Sequence, residues 1–187
     1  MKICRALNSN IITQGFNSNP EMVEFYKKYG MSNHGGIDFW AKDGEKIYWD
    51  GSIRGQVLNT EIDSNGGLGV NIITEEEVIY KHRFWHLKEF KCQAGQILES
   101  GDLIGLQDNT GVSTGTHLHR DVKEMVRENG VLKIKYPNNG TFGTIDFTPF
   151  FTNIFIVDYM KNLETQVSIY EKIIQSLKSI IEILKGR

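Results

Sequence analysis

The stretch that decides the fold is Asn109-Thr110-Gly111-Val112-Ser113-Thr114-Gly115-Thr116-His117-Leu118-His119, a turn-rich segment that runs into a pair of histidines. In a β-strand alternate side chains point to the same face, so His117 and His119 are predicted to present two imidazoles side by side. Imidazole is the commonest protein ligand for zinc, and such a pair suits two ligands, or one ligand beside one base. Taken alone, the pair would also suit a structural or surface position.

Two of the other three histidines lie in short segments of note. His34 opens the segment His34-Gly35-Gly36-Ile37-Asp38, in which positions 34 and 38 share a face if the chain is extended. The two glycines would let the backbone come close without side chains crowding a metal. His86 lies in Phe84-Trp85-His86-Leu87, a setting in which a histidine is often simply packed against aromatic rings.

The order of these segments resembles that of the lysostaphin or LytM-like zinc endopeptidases of peptidoglycan. That family has an H-x-x-x-D motif, later an aromatic-x-H-L, then G-x-x-x-G-x-T-G, and then H-L-H. The matching segments here are His34–Asp38, Phe84–Leu87, Gly101–Gly105 with Asn109–Gly115, and His117–His119, and Ile12–Phe16 resembles the start of such domains. The resemblance covers residues 10 to 125 and implies a mainly β catalytic domain built on a twisted antiparallel sheet.

The resemblance implies that His34, Asp38 and His119 are the protein ligands of one zinc ion per chain. A fourth position would remain for water, which is the general rule for catalytic zinc. Two neutral imidazoles and one carboxylate leave the ion a charge of about +1, so it would still acidify water and polarise a carbonyl. His117 would act as general base, and His86 would hold the water or stabilise the oxyanion. The division of labour between these two histidines stays open.

Residues near the motifs carry further expectations. Relatives often have an oxyanion-stabilising tyrosine in the region of Tyr26 and Tyr29, although aromatic packing explains both residues as well. The residue after H-L-H is usually aromatic in relatives and is Arg120 here, which we expect to bear on substrate choice. Trp85, large where a small residue is common, carries the same expectation. His82 matches no position of the family pattern and is expected to be an ordinary strand or loop histidine.

Two regions are predicted: a catalytic domain over residues 1–153 and a C-terminal helical segment over residues 154–187. In the first, apolar stretches such as Gly69–Thr74, Val78–Tyr80 and Ile97–Ile104 alternate with turn signals rich in glycine and asparagine. One short helix is predicted there, over Pro20–Gly30.

One long helix is predicted from about Val157 onward. Its apolar residues recur at spacings of three and four, at Met160, Leu163, Val167, Tyr170, Ile174, Leu177, Ile181 and Leu184. They form an a/d heptad seam, which is widened by Ile169, Ile173, Ile180 and Ile183. Three interpretations of residues 157–187 remain open: self-association as a homo-oligomer, packing back onto the catalytic domain, and an amphipathic helix that engages membrane or lipopolysaccharide. The basic surplus is modest for a membrane binder.

The composition argues against several classes of function. The 187 residues carry a formal net charge of -2 and a pI of about 6.2, which gives no indication of a nucleic-acid partner. No run of ~18 apolar residues occurs, so no transmembrane segment is predicted. Cys4 and Cys92 are expected to be two unrelated free thiols.

The N-terminal residues lack an apolar stretch of signal-peptide length, so we expect synthesis in the cytoplasm and action on the cell wall after release. This setting suggests a phage endolysin, with a virion-associated tail lysin as the alternative. The main rival function is a peptidoglycan-binding or hydrolase-activating relative without catalysis, and a structural phage protein is another. All five matching histidine and aspartate positions are present, which favours an active enzyme that cuts stem-peptide or interpeptide cross-links.

Overall fold

The computed structural model describes residues 2–185, which are mainly β with a long C-terminal helix, as the sequence predicts. The strands are β1 (Ile3–Arg5), β2 (Ile12–Gln14), β3 (Ile37–Trp40), β4 (Lys46–Tyr48), β5 (Gly55–Asp63), β6 (Gly67–Glu75), β7 (Ile79–Phe90), β8 (Ile97–Leu98), β9 (Leu103–Gln107), β10 (His117–Glu128), β11 (Val131–Ile134) and β12 (Phe151–Phe155). The helices are α1 (Val23–Lys27) and α2 (Ile156–Lys185), and single turns of 3-10 helix cover Pro20–Met22 and Thr148–Phe150. The side chains of Leu184, the last predicted seam residue, and of Ile183 lie outside the described part. Met1, Gly186 and Arg187 lie outside it entirely.

Ten of the described strands form one large antiparallel sheet with the main order β2-β3-β10-β7-β6-β5-β8, and β1 and β12 form a separate pair. β11 pairs with the far end of β10, and β9 connects β7 to β4. The central strands β7 and β10 contain 12 residues each, so one pair of strands can carry functional groups at one end and core contacts along its length.

The hydrophobic core lies against one face of this sheet. Leu118 and Val122 of β10 and Phe84 of β7 are fully buried there with Trp49, whose indole Nε1–H donates to the carbonyl of Ile53. Because side chains alternate along a strand, His117 and His119 project from the opposite face of β10. The core therefore fixes the position of the histidine pair without contacting it.

The long helix is anchored to the domain only at its start. β1 and β12 pair in parallel, and Ile156, the first residue of α2, is fully buried. From Lys161 to Glu182 every residue is exposed. The interpretation in which this helix packs back onto the catalytic domain is therefore wrong for these residues. Within residues 2–185 no helix combines the length and the apolar character needed to cross a membrane.

The smaller expectations have mixed outcomes. The helix predicted over Pro20–Gly30 is present as the 3-10 turn followed by α1, which ends at Lys27, and Gly30 lies in the following turn with a φ of 74°. The apolar stretch Ile97–Ile104 is divided by a turn into β8 and β9. Cys4 and Cys92 are both free thiols, as expected, and burial raises the pKa of each to about 11.

Candidate metal centre and active site

Strand pairing brings two distant segments together at the site. In the antiparallel register of β3 and β10, Asp38 lies opposite His119. His34 lies in the loop before β3, where its Nδ1–H donates to the carbonyl of Gly15 at 2.9 Å. Gly36 permits this close approach, because a Cβ there would lie 2.8 Å from the His119 ring. The structure thus brings the three predicted ligands together.

Three potential ligand atoms converge at this point. His34 Nε2 lies 3.1 Å from Asp38 Oδ1 and 3.0 Å from His119 Nδ1. His119 Nδ1 lies 2.8 Å from the same carboxylate oxygen. His34 and Asp38 are buried and His119 is half-buried, so this group is largely screened from water. The geometry therefore offers two nitrogens and one oxygen to a single ion.

The hydrogen bonds of this cluster test whether a cation would fit. His34 Nδ1 donates to Gly15 and His119 Nε2 faces the carboxylate of Asp121 at 3.3 Å, so each ring turns its other nitrogen toward the centre. Two ring nitrogens and a carboxylate oxygen within 3.1 Å of one another are stabilised by a shared proton or by a cation between them. Two imidazoles and one carboxylate are a donor set that fits zinc.

Asp121 belongs to this site although the motifs did not identify it. It is fully buried, and Arg83 Nε–H donates to its Oδ1 at 2.7 Å. Burial alone would raise its pKa, but Arg83 and His119 hold the pKa of Asp121 well below its usual range. Burial would lower the pKa of His119, but the carboxylates of Asp121 and Asp38 raise it to about 9. The two-residue spacing of His119 and Asp121 on a predicted strand is the signal that could have found it.

His86 reaches the site through an irregularity in β7. Phe84 and Leu87 are both fully buried, and the pairing with β6 shifts register across this segment. His86 itself has a φ of 64°, the left-handed region that non-glycine residues rarely occupy. Strict alternation would turn His86 to the same side as Phe84, toward the core. The irregularity instead turns its ring toward the site, 4.7 Å from the His117 ring between centroids.

The tautomers of His86 and His117 leave one nitrogen of each available. His86 Nδ1–H donates to the carbonyl of Thr110 at 2.7 Å, and His117 Nδ1–H donates to that of Gly115 at 2.7 Å. His117 Nε2 lies 3.6 Å from Asp38 Oδ2, at the edge of the predicted ligand group. Burial, with the neighbouring histidines, lowers the pKa of His86 to about 4, so this ring is neutral at physiological pH.

Arg120 does not bear on substrate choice, and that prediction is wrong. Its side chain projects to the core face of β10 and is 1% exposed. It donates from Nε and Nη2 to the Asp50 carboxylate at 2.8 and 3.0 Å, and from Nη2 to His82 Nδ1 at 2.8 Å. His82 is a buried strand histidine, consistent with its expected structural role. Strand alternation explains the error, because the residue after a ligand in a strand points away from the site.

A cavity of about 410 Å³ opens in front of the histidines. Trp85 and both predicted tyrosines line it, and the Tyr26 ring lies 5.8 Å from that of His34. Burial, with the charge of Asp38, raises the pKa of Tyr26 to about 12, so its hydroxyl stays protonated. The oxyanion role of Tyr26 and Tyr29 and the substrate role of Trp85 stay predictions.

Two further polar residues of this cavity were not found from sequence. The Gln14 side-chain nitrogen is buried without a hydrogen-bond partner in residues 2–185. Lys123 is 5% exposed, and its Nζ donates to the carbonyl of Phe142 at 2.6 Å. Burial, with the charge of Arg83, lowers the pKa of Lys123 to about 8. Lys123 follows His117, His119 and Asp121 at alternate positions of β10, which is the signal that could have revealed it.

Comparison with known proteins gives a family match over the region that contains this site. The model of peptidase family M23 matches residues 32–131, more than half of the chain. The peptidoglycan DD-endopeptidase ShyB of Vibrio cholerae is 26% identical over 159 residues, which is 83% of this chain and 35% of ShyB. The chain spans about a third or less of the length of the curated relatives it matches.

Solved structures show the same fold. A zinc-containing peptidase from Vibrio cholerae superimposes with a TM-score of 0.54 at 28% identity, over 66% of this chain and 37% of that one. The catalytic domain of lysostaphin from Staphylococcus simulans superimposes with a TM-score of 0.53 at 21% identity, over 68% of this chain and 90% of that domain. The mainly β fold predicted from the sequence is thereby confirmed.

Proposed function

This chain belongs to peptidase family M23, and from that premise we propose that it is a zinc-dependent endopeptidase that cuts peptide cross-links of bacterial peptidoglycan. The observation that carries the proposal is the convergence of His34 Nε2, Asp38 Oδ1 and His119 Nδ1 within 3.1 Å of one another. Relatives named as peptidoglycan endopeptidases support the substrate class. Because relatives are named for their action on peptidoglycan, we propose that this chain acts at the cell wall.

His34, Asp38 and His119 would hold one zinc ion per chain. When bound, zinc would supply Lewis acidity that lowers the pKa of water and polarises the scissile carbonyl. Asp121 would keep the His119 proton on Nε2, so that Nδ1 remains a ligand atom. Arg83 balances the charge of Asp121 and holds its carboxylate in place.

The two remaining histidines would carry the proton transfers. His117 is the proposed general base, because Gly115 holds its Nδ1–H and its Nε2 lies at the edge of the ligand group. His86 is neutral and is oriented by Thr110, which suits it to position the attacking water or to hydrogen bond to the developing oxyanion. Tyr26 and the unpartnered Gln14 amide could add donors on the other side of the cavity.

Substitution separates these roles. His34→Ala, Asp38→Ala and His119→Ala are expected to lose bound zinc and activity together, as measured by elemental analysis and by release of soluble muropeptides. His117→Ala and His86→Ala are expected to keep zinc while turnover falls by roughly 10²-fold or more. A His117→Ala enzyme with near-normal turnover would show that another group is the base.

The rival function is a peptidoglycan-binding or hydrolase-activating protein without catalysis. Elemental analysis and the muropeptide assay on the natural chain distinguish this function from the enzyme, because a non-catalytic relative should bind little zinc and release no muropeptide. An intact ligand set favours the enzyme. For the biological setting, the phage endolysin and its alternative, a virion-associated tail lysin, stay predictions.

For the bond that is cut, we propose a cross-link that carries a free carboxylate, such as one made by meso-diaminopimelate. Lys123 supports this choice, because it is among the residues that line the cavity and its ammonium forms no ion pair with any described residue. A glycine bridge has no side-chain charge to match it. Lys123→Met should raise KM for a diaminopimelate-linked peptide by roughly tenfold, with little change in KM for its carboxamide analogue. Equal effects on both peptides would contradict the proposed contact.

We also propose that residues 157–187 mediate self-association, because α2 leaves its apolar side chains exposed. Light scattering on the full chain and on a chain ending at residue 160 tests this. An unchanged monomer mass for both would rule it out.

A further inference from the structure

The free part of α2 exposes an apolar stripe that needs a partner. Leu163, Val167, Tyr170, Ile174, Leu177 and Ile181 each have between 37% and 64% of their surface in contact with water. Large exposed apolar surface of this kind marks an interaction site. A helix with few tertiary contacts is also only marginally stable on its own in water, so a partner would stabilise it.

The charged residues beside this stripe are arranged by sign. With Ile174 at position a and Leu177 at position d of the heptad, the e positions are Glu164, Glu171, Lys178 and Lys185. All four are exposed. The half of the helix near the catalytic domain therefore carries two acidic e positions, and the distal half carries two basic ones.

We infer that α2 pairs with α2 of a second copy of this chain in an antiparallel coiled coil, an inference that rests on the proposed self-association. In an antiparallel pair the e positions of the two helices face one another across the seam. Glu164 then faces the partner's Lys185, and Glu171 faces the partner's Lys178. The two-fold axis repeats both contacts, so all e positions are matched by opposite charge.

The same register also matches the apolar residues. Ile174 packs in one layer with the partner's Leu177, and Tyr170 packs with the partner's Ile181. On the other side of the seam Ile173 and the partner's Ile180 come together at g positions, which explains why the stripe is wider than a minimal seam. One arrangement therefore accommodates both the apolar and the charged pattern.

Other arrangements lose this agreement. Sliding the partner by one heptad in one direction places Glu171 against the partner's Glu171. Sliding it in the other direction places Lys178 against the partner's Lys178. In a parallel pair g faces e of the next heptad, and the facing residues are Ile173 with Lys178 and Ile180 with Lys185, which offer no ion pair.

The length of the free helix fits this pairing. Exposure becomes continuous at Lys161, and in this register the partner's Lys185 reaches only as far as Glu164. The paired segments therefore overlap along the exposed helix and stop short of the catalytic domain. At ~1.5 Å per residue, the Lys161 residues of the two chains would lie about 40 Å apart along the coiled coil, with one catalytic domain at each end. Such a dimer could engage two points of one polymeric wall at once.

Charge reversal on the full chain tests the antiparallel register. Glu164→Lys with Glu171→Lys makes every e position basic, and Lys178→Glu with Lys185→Glu makes every e position acidic. Each double variant should dissociate at least roughly tenfold more readily than the natural chain, because all four facing pairs become like-charged. An equimolar mixture of the two should form a heterodimer, and a chain with all four reversals should regain self-association.

Light scattering and sedimentation of the purified chains provide the readout. Lys172→Glu is the matched control, because position f faces away from the seam and its reversal should leave the association unchanged. A natural chain that stays monomeric at micromolar concentration overturns the proposed self-association itself. A monomeric chain that binds anionic lipid vesicles overturns it as well. A dimer whose two reversed variants fail to pair with each other overturns the antiparallel arrangement alone. Neither measurement needs substrate, so the outcome is independent of the proposed catalytic activity.

Discussion

At the scale of single residues, the ring of His86 points into the cavity although its backbone has an unfavourable φ angle. Its φ of 64° turns the ring toward the cavity, whereas regular alternation would turn it toward the core. Left-handed conformations of non-glycine residues cost about 1–3 kcal/mol and persist where the surrounding structure enforces them. The hydrogen bond from its Nδ1–H to Thr110 is one such constraint.

His86→Gly is therefore expected to relieve backbone strain while removing the imidazole. Its free energy of unfolding should exceed that of His86→Ala by about 1 kcal/mol, because alanine keeps the Cβ at a positive φ. Both variants should show the same loss of turnover on peptidoglycan. Urea unfolding of the two proteins measures the difference, and a glycine variant less stable than the alanine variant would contradict the strain argument.

His82 predicts a pH dependence of stability. Burial, with the charge of Arg120, holds the pKa of His82 well below its ordinary value of 6.5 in the folded protein. Arg120 donates to Nδ1, so Nε2 carries the proton and faces Thr74 Oγ1 at 3.0 Å. In the unfolded chain His82 therefore takes up a proton near pH 6.5, whereas in the folded chain it stays neutral at that pH. This contribution to stability is present above pH 6.5 and is lost as the pH falls below it, by up to about 1.4 kcal/mol per pH unit.

His82→Gln is expected to unfold more readily at neutral pH but to lose stability less steeply between pH 6.5 and 5. Thermal unfolding of both proteins across that range, with a chelator present in each sample, isolates the effect of this side chain. Parallel pH profiles for the two proteins would show that His82 takes up a proton in the folded state as well.

At the scale of elements, β10 separates function from stability by its alternation. One face carries His117 and His119 at the cavity, with Asp121 buried beside His119, and the other carries Arg120 in the core. Arg120 also lies 4.3 Å above the ring of Phe84, measured from the guanidinium carbon to the ring centroid. Its partner Asp50 is buried, and desolvation raises the pKa of that carboxyl against the charge of Arg120.

Arg120→Met should therefore destabilise the fold by about 3–5 kcal/mol, because it leaves the Asp50 carboxylate buried without its counter-ion. Arg127→Met on the same strand is the matched control, since its ion pair with Glu75 is exposed and should contribute little to the free energy of unfolding. Denaturant unfolding measures both variants. Similar losses for the two would show that burial does not govern the strength of these pairs.

At the scale of the whole molecule, the chain is a catalytic sheet with a nearly independent helix attached. Ile156 is buried against the domain, whereas the residues from Lys161 to Glu182 are exposed. The predicted division between residues 153 and 154 falls within β12, two residues before α2 begins at Ile156. The helix therefore adds little to the stability of the domain that precedes it.

A chain ending at residue 160 is expected to keep the fold of the catalytic domain, with a melting temperature within a few degrees of the full chain. It should keep the proposed zinc binding and turnover on a small soluble peptide, since none of the described residues that line the cavity lies beyond Thr144. Calorimetry and a peptide-cleavage assay on both chains test this. A truncated chain that loses its cooperative transition would show that the helix is part of the domain.

The sequence by itself determined the histidine set, the β-rich domain and the heptad helix, because motif spacing and periodicity are properties of the linear chain. It also carried the charge pattern of α2, since the e positions follow from the heptad alone. Only the tertiary structure decided that His86 turns toward the cavity, that Asp121 supports His119, and that Arg120 lies in the core with Asp50. Strand alternation could have placed Asp121 beside His119 and Arg120 on the opposite face. The angle of His86 and the partners Arg83 and Asp50 depend on strand register, on one backbone conformation and on contacts up to 70 positions apart, which no local pattern encodes.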